Sequence, residues 1–313
     1  MRRPWRASAL AGLALLGLAS CDMPEAPVDS TPPRARPETV PAMPSAESRA
    51  MAAHFGRVEA ELRERGLLRT DGGGADTPVS RRNLVENFVR IALYDEYVAH
   101  SGMLVAEQTE SRLRRWEQPI RMGMVFGAAV PAAQRREDRA NIVGYARRLS
   151  RLTGLPIRMT APEDANFHIL ILNEDERRAF GPDLRRLVPG IDRTAELTIT
   201  GMPRSTFCLV FAFSKGNSSS YSRAVAVIRA EHPDLLRLSC LHEELAQGMG
   251  LANDSPAARP SIFNDDEEFG LLTGHDELLL RILYDRRLRP GMTERDARPI
   301  VEQIVDELLG GES

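Results

Sequence analysis

The stretch CLHEELAQGMGLANDSP, Cys240 to Pro256, decides how this chain is read. On an α-helix, residues four apart stand side by side on one face. Two metal-binding side chains at i and i+4, with a Glu at i+1 as general base, are therefore the simplest helical arrangement for metal-assisted hydrolysis. Counted from His242, the second position is Ala246, which offers no donor atom. Counted from Glu243, the second position is Gln247 and the base position is Glu244. Gly250 then falls where the helix must end in a left-handed turn, and Asn253, with Asp254 beside it, falls where the chain swings back. The second frame fits better. The plain alternative makes Glu243 and Glu244 solvated face residues and Gln247 a surface amide.

The donor chemistry limits what such a helix can hold. Zinc prefers imidazole, thiolate and carboxylate, whereas Glu243, Gln247 and Asn253 or Asp254 supply carboxylates and neutral amides. Calcium accepts those oxygens but generally asks for six or more of them. No cofactor is expected, and a divalent metal would be held only weakly. Without a metal, Glu244 has no bound water of lowered pKa to act on. His242 and His275 lack a partner at ligand spacing and read as surface or capping histidines. The acidic run Asp265 to Glu268 reads as a solvated loop.

In this frame the stretch resembles the extended motif of the metzincin branch of zinc peptidases, with Glu243, Gln247 and Asn253 at the three histidine positions. SIFND, Ser261 to Asp265, resembles the turn below the metal in that group, Phe263 standing where a methionine is usual. GHDELLLRILYDRRLRPGM, from Gly274, resembles its closing helix. A narrower resemblance is to bacterial lipoproteins grouped as domain of unknown function 2927, which share EExxQxxGLxND, SIFND and LRxLYDxRLxPGM; all three occur here. The resemblance implies an α+β, zincin-like (metzincin-type) domain with a mixed, mostly parallel sheet and an active-site-type helix, preceded by an N-terminal helical region. Gly250 and Phe263 would be structural residues in it.

Outward from the motif, the local patterns agree. His232-Pro233-Asp234 opens the motif helix, with Pro233 in its first turn and Asp234 at its positive end. CLVFAFS and RAVAVIRAE read as paired strands, NFHILILNE as a buried strand, and RWEQPIRMGMVFG as a strand alternating through Ile120, Met122, Met124 and Phe126. AAQRREDRANIVGYARRLSRLTGL reads as a helix, and the segment between NFHILILNE and CLVFAFS as loop. Upstream, Met51, Phe55, Val58, Leu62 and Leu67 recur at helical spacing, and Ser80 can cap a second helix through RRNLVENFVRIALYDEY.

The N-terminus is of another kind. Arg2, Arg3 and Arg6 precede an apolar run too short to span a bilayer, and LASC, Leu18 to Cys21, resembles a bacterial lipobox. That resemblance implies cleavage before Cys21 and acylation of its thiol. The expected organisation is a lipoprotein signal peptide (1–20), a proline-rich disordered tether (21–47), a helical accessory region (48–112) and the zincin-like domain (113–313). Cys208 and Cys240 remain, either bridged or as two buried thiols, and an exported chain favours the bridge. With 42% hydrophobic residues the chain can build a core, and a formal net charge of -3 excludes a nucleic-acid footprint.

The expected function is that of a lipoprotein facing the periplasm from the cell membrane or outer membrane. It would be membrane-held by its lipid, with a degenerate, non-catalytic domain binding a peptide or cell-envelope partner. The alternative is a metal-dependent hydrolase with Glu244 as general base.

Overall fold

The computed structural model describes residues 43–310 except 75, 101, 102 and 265, and of residues 96–100 and 103–108 the backbone alone. The expected signal peptide, Cys21 and most of the expected tether therefore lie outside the described residues. None of the described helices is long and apolar enough to cross a membrane.

The fold is mixed α+β around a mostly parallel sheet. Its parallel strands are β4 (Ile120–Phe126), β5 (Ile157–Thr160), β6 (Phe167–Leu172) and β8 (Ser220–Arg229), and β7 (Cys208–Ser214) runs antiparallel to β8. Across the sheet the order is β5-β4-β6-β8-β7, with the short β3 (Arg115–Trp116) paired to the first residues of β8. RWEQPIRMGMVFG is thus two strands rather than one. Pro119, which has no N–H to give a ladder, sits in the break. Every residue of β6 is buried, as a strand covered on both faces must be.

The period of two then divides the layers. Phe167, Ile169 and Ile171 face the larger core, where helices α2 (Arg81–Ala92), α3 (Ala132–Thr153), α7 (Asp234–Gln247), α8 (Gly274–Leu283) and α9 (Glu294–Gly310) place Phe88, Leu149, Leu245, Leu280 and Val301. Leu170 and Leu172 face a smaller cluster with Leu184 of α5 (Gly181–Leu187) and Ile199 of α6 (Arg193–Gly201). Each large side chain so buried contributes roughly 1.5–3 kcal/mol. The segment expected as loop before β7 holds α5, α6 and the short α4 (Glu174–Ala179), all too brief to show a clear helical period.

The region 48–112 is not wholly helical. α1 (Ala46–Glu64) is capped by Ser45, and Ser80 caps α2, but α2 ends at Ala92. The chain then forms a hairpin of β1 (Tyr94–His100) and β2 (Met103–Glu110). α2 also buries Leu84, Val85 and Phe88 in the main core.

Candidate functional site

The site is built on α7. Pro233 at its N-cap brings no capping side chain, and Glu59 of α1 supplies one by accepting a hydrogen bond from the Leu236 amide at 2.9 Å. Buried Arg237 donates to Asp138 of α3 at 2.7 Å and fixes the helix laterally. Cys240 is joined to Cys208, the first residue of β7, with the Cα atoms 5.9 Å apart, so the edge strand is tied to the helix below it. The carboxylates of Glu243 and Glu244 lie with the Cys208 sulfur, their donor atoms all within 4.8 Å of one another. Glu244 is buried and Glu243 half-buried.

Beyond Gln247 the chain leaves the helix through close backbone contacts. Gly250 has φ +124°, and a Cβ there would lie 2.2 Å from the Arg114 carbonyl oxygen, so only glycine fits. Trp116 donates its indole N–H to the Gly248 carbonyl at 2.8 Å, and the Tyr284 hydroxyl donates to the Met249 carbonyl at 2.9 Å. Gln247 donates its side-chain amide to Asp254 at 3.1 Å. Asn253 turns away from the motif helix: its backbone N–H donates to the Ile91 carbonyl at 3.1 Å and its side-chain amide to the Arg90 carbonyl at 2.8 Å. The structure thus brings Glu243, Glu244, Gln247 and Asp254 to one end of the helix and spends the Asn253 amide on α2.

Below this turn Phe263 is fully buried, and the segment from Ser261 is clamped by Asp276. That carboxylate accepts from the Ser261 hydroxyl at 2.5 Å, the Ile262 amide at 3.1 Å and the Thr273 amide at 2.9 Å. Asp265 lies outside the described residues, while Glu268 is paired with Arg69 and Arg259 rather than merely solvated.

The two histidines are not surface groups. His275 is buried, with Nε2 3.0 Å from the Asn87 amide. His242 stacks on Tyr145 at 4.1 Å and accepts the Leu272 amide at Nδ1; burial first and Arg148 second push its pKa down to about 3. Its ring packs on α3 and takes no part in the carboxylate cluster.

A model of the family described as Protein of unknown function (DUF2927) matches residues 81–303. The chain belongs to that family. The DUF2927 span opens at α2 and closes within α9, so it takes in the whole sheet and both sides of the motif helix. No curated protein and no solved structure matches the chain.

One cavity beside the motif region escaped the motif reading. At the Ser214 end of β7 lies a cavity of about 590 Å³, lined among others by Arg112, Arg114, Phe213, Ser214, Ser219 and Tyr221. Arg114 is paired with Asp95, while the buried Ser214 hydroxyl has no hydrogen-bond partner among the described residues. The serine run in KGNSSSY was its only signal, and a serine run ordinarily marks a loop.

The donor set does not suit a catalytic zinc. Cys208 is locked in its disulfide and offers no thiolate, Gln247 has only a neutral amide oxygen to give, and the Asn253 side chain is anchored on Arg90 of α2. Adjacent Glu243 and Glu244 are left as the charged donors of the cluster.

Proposed function

We propose that this DUF2927 chain is an exported lipoprotein whose zincin-like domain binds an extended peptide, as part of a cell-envelope partner, along the edge of its sheet and does not cleave it. The observation that carries this reading is β7. Among the described residues it pairs with β8 alone, its other edge has no strand partner, and it runs from the Glu243–Glu244 cluster to the cavity at Ser214. An open edge beside a pocket is how a sheet takes up an added strand: main-chain hydrogen bonds give affinity and the pocket gives specificity. The zincin-like assignment draws on the antiparallel edge strand, the motif helix beneath it and the glycine turn that ends that helix. The lipid anchor is inferred from the lipobox alone.

The test is hydrogen exchange on the full-length protein with peptides selected against it from a random display library. The expected result is slowed exchange within Cys208–Ser214, with the peptide recovered uncleaved. Protection confined to another part of the chain, or cleavage of the peptide, would overturn the proposal.

A further inference from the structure

We propose that the cavity on the opposite side of the sheet from the motif helix, among Arg121, Arg158, Arg186 and Arg223, is an oxyanion site for a phosphate-bearing ligand. The site follows from strand register. Arg121 pairs with Arg158 across β4 and β5, and Gly123 pairs with Thr160 and with His168, which pairs in turn with Val225. Residues two apart share a face, so Arg121, Arg158, Thr160, Arg223 and His168 all stand on the side covered by α5 and α6. There they bound, with Arg186 and Leu187, a cavity of about 500 Å³, a volume suited to a small phosphorylated molecule or a lipid headgroup.

The charges are arranged for an anion. Among the described residues, Arg121, Arg158 and Arg223 have no carboxylate within the 4.0 Å of an ion pair, and Arg186 pairs with the exposed Asp183 at 2.6 Å. Arg121 is held in place by donating Nε–H to the Asp164 carbonyl at 2.7 Å, which leaves its terminal nitrogens for a ligand. Glu163 and Asp164 also line the cavity, so, with Asp183 set against Arg186, the three other guanidinium groups face two carboxylates and leave an excess of positive charge. Guanidinium groups converging on one cavity are the natural receptor for phosphate, which they bind with paired, charge-assisted hydrogen bonds.

A second observation points the same way. His168 is 1% exposed, and apart from the backbone of Leu187 its ring nitrogens have no hydrogen-bond partner among the described residues. A buried polar group left so is uncommon and costs stability. The ring lies one residue pair deeper than Arg121 and Arg223, beside the backbone of Leu187, and Leu187 also lines the cavity. Burial, and after it the charge of Arg223, hold its pKa down to about 4, with the Leu187 backbone opposing. An anion bound at Arg223 would offset that charge and raise the pKa of the ring.

The experiment follows the His168 ring signals by NMR in the full-length protein at constant ionic strength. Inorganic phosphate and pyrophosphate are titrated in one arm, and phosphatidylglycerol or phosphatidylcholine vesicles are added in the other. The variants are Arg158→Gln, Arg223→Gln and, on an exposed turn of α3, Arg147→Gln. Saturable movement of the His168 signals by the free phosphates would assign a soluble ligand. Movement by phosphatidylglycerol vesicles alone would assign a headgroup. In either case Arg158→Gln and Arg223→Gln should each weaken binding roughly tenfold or more, and Arg147→Gln should not. Signals unmoved by every probe, or affinities equal in all three variants, would overturn the proposal.

Discussion

Replacing Gly250 by alanine tests the geometry that ends the motif helix. At φ +124° a side chain is strained whatever space surrounds it, at a cost of about 1–3 kcal/mol. The new Cβ would also stand 2.2 Å from the Arg114 carbonyl oxygen, 0.8 Å inside the 3.0 Å that real Cβ atoms keep. That oxygen belongs to backbone that cannot move alone. The next residue, Arg115, donates to the Leu283, Asp285 and Leu288 carbonyls at 2.5, 3.0 and 2.8 Å, and Trp116 donates to Gly248. Displacing the segment stretches this set and adds roughly 1–3 kcal/mol. Together the two costs come to about 4 kcal/mol, read as a lowered urea midpoint in far-ultraviolet circular dichroism. Gly144→Ala is the control: it lies in α3 with nothing within 4 Å of its added Cβ, and should stabilise by roughly 0.5–1 kcal/mol. A Gly250→Ala protein within about 0.5 kcal/mol of the wild type would refute the close approach of Arg114.

Three further outcomes are expected. His168 and His242 are held near pKa values of about 4 and about 3, below the ~6.5 of an unfolded chain, so the unfolded state takes the proton first. Their contribution to stability is complete above pH ~6.5 and is lost as pH falls toward the folded values, by ~1.4 kcal/mol per pH unit for each ring and ~3 kcal/mol for His168 in all. Denaturation curves flat between pH 7 and pH 4.5, or a His168→Leu protein with unchanged pH dependence, would contradict this. Asp276→Asn turns one acceptor oxygen into an NH2, so either the Ser261 hydroxyl on Oδ1 or the Ile262 and Thr273 amides on Oδ2 lose their acceptor, and should cost roughly 1–3 kcal/mol, with thermal denaturation as the readout. Cys21→Ser should move the protein from the membrane to the soluble fraction, and unchanged fractionation would remove the lipid anchor from the account.

The parts legible in the sequence were those whose pattern is local. FHILIL is an unbroken apolar run and forms the buried strand β6, and Pro233 with Asp234 marks the start of α7. The hairpin from Tyr94 to Glu110 was not legible: RIALYDEY continues the helical spacing of α2, and only its β-rich continuation hints that the helix stops at Ala92. The site shows the same division. Gly250 could be read as the residue that turns the chain, but not that Arg114 crosses so close to it. Asn253 looked like a third ligand because spacing cannot show which way a side chain turns after a glycine, and its amide goes to Arg90. His242 and His275 looked like surface groups because a lone histidine gives no period, yet both are held by specific partners. The arginine cavity was hidden for a plainer reason, since its four guanidinium groups come from separate strands and a helix that only the register brings together.

The central claim is that the sheet edge at β7, beside the motif helix, binds a peptide and that the helix holds no catalytic metal, and the zinc content of purified, unchelated full-length protein tests it most directly. With Cys208 bridged, Gln247 offering only a neutral amide oxygen and the Asn253 side chain held on Arg90, the account predicts well under one equivalent of zinc. It also predicts a gain in zinc affinity when Glu243 and Gln247, four apart on the helix, are both replaced by histidine, and none from Asn253→His, whose side chain is held on Arg90. Stoichiometric zinc in the wild type, lost in Gln247→Ala, would contradict the account and make Glu244 the general base of a hydrolase.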